Sequence, residues 1–407
     1  MRFAVLSDPH VFDTTTSDPG PAFDAHLVKG PTLLAESGRI LEAALSAIAA
    51  EKPAFLLVCG DLSSEGELAS HRLAARELDR IRRAGVPVFV VPGNHDVRNP
   101  QASRYSGDAT EPVASVTPAE FSAIYGPFGY DAAIRRDPDS LSYVAEPVPG
   151  LWLLALDSCQ YGASRGVEAA HRGIPVSRGR LRPSTMRWAR LVLSDANRHA
   201  VHVIAMLHHG IVEQFRGERT WLPDYVIDGS DAVSRLLAGG GVAAVFTGHT
   251  HSQDVTRRVF PDGRVISDVQ TGSTVSWPNP WRIVEIDAGG RMAIRSGFVT
   301  SIDGFDGDFP EYSRERLRRW LQAGLRSAMK RVGATEGTAD ALAPQAASAG
   351  LSFFHGDEPG TARNFDTTGL DLGGDIFAAM ANGAFRDFQT DLPPADNDVT
   401  LELGGAP

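Results

Sequence analysis

Two residue types are scarce in this chain, and each shortage closes off a class of function. Cysteine occurs twice, at Cys59 and Cys159. Two thiols make neither a disulfide framework nor a thiolate zinc site, so both are read as small buried residues at strand ends. Lysine occurs three times, at Lys29, Lys52 and Lys330, and never in a Gly-Lys-Ser/Thr phosphate loop, which excludes a Walker-type NTPase. No basic stripe is available to release counterions from a long nucleic acid. No run approaches the roughly 18–20 apolar residues of a membrane span. The opening "MRFAVLSDPH" is too short an apolar run for a secretory leader. A cytoplasmic location is therefore expected, although an exported form trimmed of its leader would read the same way.

The formal charge of −11 is unevenly spread. Residues 332–407 carry Arg363 and Arg386 against twelve Asp and Glu, a net of −10, which leaves −1 for everything before them. The nearly neutral larger part is compatible with a small phosphorylated substrate but not with a long polyanion.

What is present is a regular alternation. "RFAVLS", "AFLLVC", "VPVFVV", "LWLLAL", "VHVIAML" and "VAAVFT" are short apolar runs rich in branched and aromatic residues, the composition of strands covered on both faces. Between them, stretches such as "GELASHRLAARELDRIRRAG" repeat apolar residues at three and four, as helices do. Strand alternating with helix predicts an α/β sheet. Past Val259, "GRVISDVQTGS", "PWRIVEIDAGG" and "RMAIRSGFVT" predict successive antiparallel strands. The spacing then predicts a helix over about 311–331, followed by an acidic Gly/Ala-rich module with loose periodicity. The expected division is a catalytic domain over 1–302 and an accessory region over 303–407. The accessory region is expected to cover the site edge or to build a homodimer. Residues 99–148 read as a long surface excursion of the kind that carries function.

Metal-type residues follow the apolar runs directly: Asp8-Pro9-His10, Gly60-Asp61, Gly93-Asn94-His95-Asp96, His208-His209 and Gly248-His249-Thr250-His251. Taken singly, each is most often a turn or a cap. Five together, all at strand ends where open α/β sheets bind ligands, point to one site. His249 and His251, two residues apart, would share one side of an extended segment. With no cysteine in the set, imidazole and carboxylate donors suit Fe, Mn, Zn, Co or Ni. Seven candidate ligands exceed one ion's needs; two ions roughly 3.5–4 Å apart sharing a carboxylate account for them.

In this order the five motifs "DPH", "GD", "GNHD", "HH" and "GHTH" resemble the signature of the calcineurin-like metallophosphoesterases, over about residues 2–300. The wording "GDLSSEGELASH" and "LHHG" is most similar to the bacterial branch that includes class III cyclic-nucleotide and glycerophosphodiester phosphodiesterases. The resemblance implies a β-sandwich flanked by helices in α/β/β/α layers. It implies two transition-metal ions, divalent or trivalent, drawn from Fe, Mn and Zn. One would be held by Asp8, His10, Asp61 and His251, the other by Asp61, Asn94, His208 and His249. His95 would contact phosphate and protonate the leaving oxygen, and Asp96 would orient His95. Of the His208–His209 pair, the first is taken as the ligand. The reaction implied is hydrolysis of a phosphodiester of a small substrate by a metal-bridging hydroxide. A phosphomonoesterase, a nucleotide pyrophosphatase and a non-catalytic scaffold of the same fold are the alternatives.

Arg98, Asn99 and His209 stand close enough to the motifs to reach substrate, and Tyr143, Asp157 and Gln253 are further rim candidates. His71 is read as helix surface or packing. Gly162-Ala163-Ser164-Arg165-Gly166 matches a serine-hydrolase elbow but does not follow its strand directly, so it is set aside.

Overall fold

A computed structural model describes residues 1–161, 176–356, 358 and 361–402; the Gly162–Gly166 motif lies outside them. Two sheets face one another. The first is built on three parallel strands, β1 (Arg2–Leu6), β2 (Leu56–Val58) and β3 (Val88–Val90). It is extended antiparallel beyond β1 by strands at Pro280–Ile286, Arg291–Phe298 and Asp398–Glu402. At the centre of the second sheet lie four parallel strands, at Leu151–Ala155, His202–Met206, Ala244–Thr247 and Val265–Gln270. Antiparallel strands at Asp254–Val259 and at Tyr143–Val148 and Arg135–Arg136 close its two edges.

Strand alternation explains why both faces had to be apolar. In the strand His202–Met206, Ile204 and Met206 enter the core between the sheets, whereas Val203 and Ala205 face the outer helices. The strand Ala244–Thr247 repeats this, with Phe246 inward and Val245 outward. Phe3 closes the sandwich, its ring 4.7 Å from Phe55 and 5.3 Å from Phe246. Helices Ser37–Ala50 and Leu68–Arg83 cover the first sheet, and Pro183–Arg198 and Ser230–Gly239 cover the second. The layers are α/β/β/α, as the resemblance implied.

Three local expectations change. The strand Val265–Gln270 pairs parallel with Ala244–Thr247, so the chain crosses to the other sheet before Pro280 rather than continuing one antiparallel run. The excursion over 99–148 holds a hairpin, Ser103–Ser106 with Ala109–Pro112, and its last residues, Tyr143–Val148, are a strand of the second sheet. The acidic tail is ordered into helices. After Phe309–Arg331 come Glu336–His355 and Leu372–Phe388, and the strand Asp398–Glu402 then returns to the first sheet. Leu317 and Leu321 pack with Phe215, Leu351, Phe353 and Phe354. Gln253 N donates to Phe354 O (3.2 Å), which ties this region to the loop carrying His251. No helix among the described residues is long and apolar enough to cross a membrane.

Candidate metal centre

β1, β2 and β3 run parallel, as do the strands His202–Met206 and Ala244–Thr247, so the loops after all five emerge at one edge of the sandwich. Those loops carry every candidate ligand. Their backbone is strained to do so. Of the nine non-glycine residues in the left-handed region among the described ones, five are Asp8, His10, Asp61, His249 and His251. Each such residue costs on the order of 1–3 kcal/mol and persists only where its surroundings enforce it. The left-handed turns also overturn the extended reading of His249 and His251: the two imidazoles point into different groups.

The first group is Asp8, His10, Asp61 and His251, whose donor atoms all lie within 4.8 Å of one another. His10 Nε2 is 3.0 Å from His251 Nε2 and 3.6 Å from Asp61 Oδ2, and His251 Nε2 is 3.5 Å from Asp8 Oδ1. Donors about 2.1 Å from a shared cation, at tetrahedral to octahedral angles, stand roughly 3.0–3.4 Å apart. At most one of two facing imidazole nitrogens can donate to the other, so a cation between the lone pairs satisfies this arrangement better than a proton does. In the second group His208 Nε2 lies 2.9 Å from Asn94 Oδ1 and 3.3 Å from Asp61 Oδ2, with the His249 ring 4.9 Å away. Asp61 Oδ2 therefore faces both groups.

Ring orientation is fixed from behind. His208 Nδ1 donates to Cys59 O (2.8 Å) and His249 Nε2 to Asp224 O (3.1 Å), leaving His208 Nε2 and His249 Nδ1 as the open nitrogens. His209 lies within reach of His208 and His249, but both of its nitrogens are engaged, Nδ1 by Ser158 Oγ (2.7 Å) and Nε2 by Ser177 O (2.8 Å). Its ring packs against that of His249, 4.4 Å away. The motif glycines are required by close approach: a Cβ on Gly93 would stand 2.1 Å from Asp61 Oδ1, and one on Gly248 2.3 Å from Asp8 Oδ2.

His95 stands beside the first group, its ring 5.0 Å from that of His10. Its Nδ1 is 2.9 Å from Ser64 O and 3.1 Å from Glu65 Oε2, so Nε2 is the open nitrogen. The orienting carboxylate is Glu65, not Asp96. Asp96 accepts instead from Leu62 N, Ser63 N, Ser63 Oγ and Gly93 N, at 2.8–3.1 Å, clamping the Asp61 loop to the Asn94 turn. Asn99 is also placed differently from the expectation: its Nδ2 donates to Glu65 Oε2 (2.7 Å), which makes it a support of Glu65. Arg98 is exposed and left-handed. Tyr143 and Asp157 are buried, bonded to Val90 O (2.9 Å) and Leu141 N (3.1 Å), and serve packing, as does His71 between Tyr125 and Ser63. Gln253 Nε2 is taken by Ser296 Oγ (2.8 Å). Glu65 carried a signal, a carboxylate four residues past Asp61, but nothing in its spacing says which histidine it meets.

The electrostatics follow the geometry. Burial disfavours charge on Asp61, yet His208 and His95 outweigh it and hold the carboxyl well below its ordinary range. Burial likewise opposes charge on His95, but Asp61 and Glu65 dominate and raise it to about 10; His208 is raised to about 9 by Asp61 and Asp8. His10 and His209 are pushed by burial down to about 3; in His10 this favours the neutral form a ligand needs. A cation on Asp61 would draw the His95 and His208 values down.

Residues 1–253 match the family model described as calcineurin-like phosphoesterase. No curated protein sequence matches the chain significantly. Among solved structures the chain is similar to a dimetal phosphatase from Danio rerio. The two share 15% identity and a TM-score of 0.50, over 72% of this chain and 95% of that one. It is also similar to the purple acid phosphatase PPD1 from yellow lupin (Lupinus luteus) seeds, at 11% identity and a TM-score of 0.43, over 75% and 52%. A phosphopantetheinyl hydrolase from Mycobacterium tuberculosis matches at 15% identity and a TM-score of 0.33, over 67% and 89%. At such identities the likeness is one of fold, and only the first score carries even that. The family match spans well over half of the chain and includes all five strand-end loops; the chain belongs to the calcineurin-like phosphoesterases.

Proposed function

We propose that the protein is a metal-dependent hydrolase with a two-ion centre that cleaves a phosphodiester bond in a small substrate. The carrying observation is Asp61 Oδ2, which lies 3.6 Å from a histidine of one group and 3.3 Å from a histidine of the other. On this reading Asp8, His10, Asp61 and His251 hold one ion, and Asp61, Asn94, His208 and His249 hold the second. Such a pair, when bound, supplies a hydroxide nucleophile at neutral pH and neutralises charge on the phosphoryl oxygens.

The chain's own residues do the rest. His95, with Nδ1 committed to Ser64 O and Glu65, presents Nε2 to the phosphate and passes a proton to the leaving oxygen as the P–O bond breaks. The products are a monoester and an alcohol, carried on one molecule where the diester is cyclic. Glu65 and Asn99 hold that imidazole in position, and Asp96 holds the turn beneath it. The diester reading rests on charge. Arg178, on the loop that holds His209, is already paired with Asp224 (3.0 Å) and Asp228 (3.5 Å). That pairing favours a substrate with one negative charge over a dianionic monoester, with Arg98 as the cation left to meet it. The bacterial phosphodiesterase-like branch, with a cyclic nucleotide or glycerophosphodiester as substrate, is the narrower form of the proposal.

The test compares rates on bis-p-nitrophenyl phosphate, p-nitrophenyl phosphate and cyclic AMP with Mn, Fe, Zn and Co. The diester should be turned over fastest with Mn, or with Fe and Zn together. A monoester rate tenfold higher would overturn the diester assignment while leaving the metal centre intact.

A further inference from the structure

The helix Leu372–Phe388 carries apolar residues on two sides, and only one of those sides is covered. Its inner side is packed: Ala378 is buried with Leu342, Ala346 and Phe365, and Phe385 stacks on Phe365 at 3.8 Å. On the outer side Leu372, Ile376 and Met380, at i, i+4 and i+8, are 76%, 52% and 82% exposed. An apolar stripe along a helix is normally buried against another element. The same outer face carries Ala379 and Gly383, both exposed, and a Cβ on Gly383 would meet nothing within 4 Å. A mid-helix glycine costs roughly 1 kcal/mol relative to alanine. In the isolated chain no close contact offsets that cost.

We propose that this face packs against the same helix of a second copy of the chain, antiparallel about a two-fold axis. The sequence is self-complementary in one register. Ile376 of each copy faces Gly383 of the other and Met380 faces Ala379, large against small, while Leu372 at the end of the face falls opposite Asp387. In that register Arg386 falls opposite Gly373, between Asp371 and Asp375, bringing opposite charges together at both ends. The three acidic residues on this helix, Asp371 at its cap, Asp375 and Asp387, argue against an anionic membrane as the occupant. One helix face is smaller than the ~800 Å² per partner of a standard interface, so the dimer is expected at micromolar concentrations.

Sedimentation velocity on the full chain, from about 1 to about 200 µM, tests this. The expected result is a reversible monomer–dimer equilibrium that the double variant Ile376→Glu/Met380→Glu abolishes without changing hydrolysis or circular dichroism. Arg386→Glu should weaken the dimer at least about tenfold, and adding Asp375→Arg should restore it. Because Cys59 and Cys159 are buried, Ala379→Cys should give a covalent dimer on oxidation, whereas Leu191→Cys, exposed elsewhere, should not. A wild-type chain that stays monomeric at 200 µM, or a dimer that survives the double variant, overturns the proposal. Either outcome leaves the metal centre untouched.

Discussion

The two halves of the centre are built from different donors around one shared oxygen. The first gathers two carboxylates, Asp8 and Asp61, and two imidazoles, His10 and His251. The second has a neutral amide, Asn94, and two imidazoles of its own, and reaches a carboxylate only through Asp61. Anionic oxygen attracts a cation far more strongly than a neutral donor in a buried site. On the proposed assignment the first half holds its ion firmly and the second depends on its neighbour. Fixed charge therefore decides the order of binding, with the shared carboxylate as the coupling.

The largest way to break that comparison is to empty both halves. Prolonged chelation should abolish hydrolysis, and one added equivalent of metal should restore less activity than two, as read by titration against rate. Next in size, His95→Gln should leave two metals per chain in place and lower kcat by about 10²–10⁴, with KM moving less, because a proton donor rather than a ligand is lost. Below that, Glu65→Gln should lower kcat by roughly 10–100-fold and shift the alkaline limb of the pH–rate profile to lower pH, since the carboxylate holding His95 charged is gone. Asn99→Ala should show the same signature at smaller size. The smallest effect concerns stability. In chelated protein, folded His95 at about 10 stands above its ordinary 6.5, so its contribution is complete below pH 6.5 and lost as pH rises through 10. The Tm of chelated protein should fall between pH 7 and pH 10, and His95→Gln should flatten that slope.

How far the sequence could be read follows from which physics is local. The parallel strands announced themselves because they are buried on both faces, so their ends, and the residues after them, could be located. The division of ligands between the groups could not be found from side-chain period alone. It depends on left-handed backbone at Asp8, His10, Asp61, His249 and His251, which a period-two argument does not contain. The partner of Glu65 was hidden for a related reason: its contact with His95 spans 30 residues and runs between two loops. The helix Glu336–His355 escaped because Ala, Gly and the internal Pro344 blur its amphipathic pattern, and its burial comes from packing on Phe309–Arg331 rather than from propensity. The return strand Asp398–Glu402 is five residues with one buried side chain, Leu401, too little pattern to announce a strand.

One measurement bears most directly on the shared carboxylate: metal content per chain, by elemental analysis, for Asp61→Ala beside His251→Ala and His249→Ala. The account predicts about two ions in the wild type, about one in each histidine variant and none in Asp61→Ala, because both groups lose a donor at once. An Asp61→Ala chain that folds normally and still holds a full equivalent of metal would contradict it.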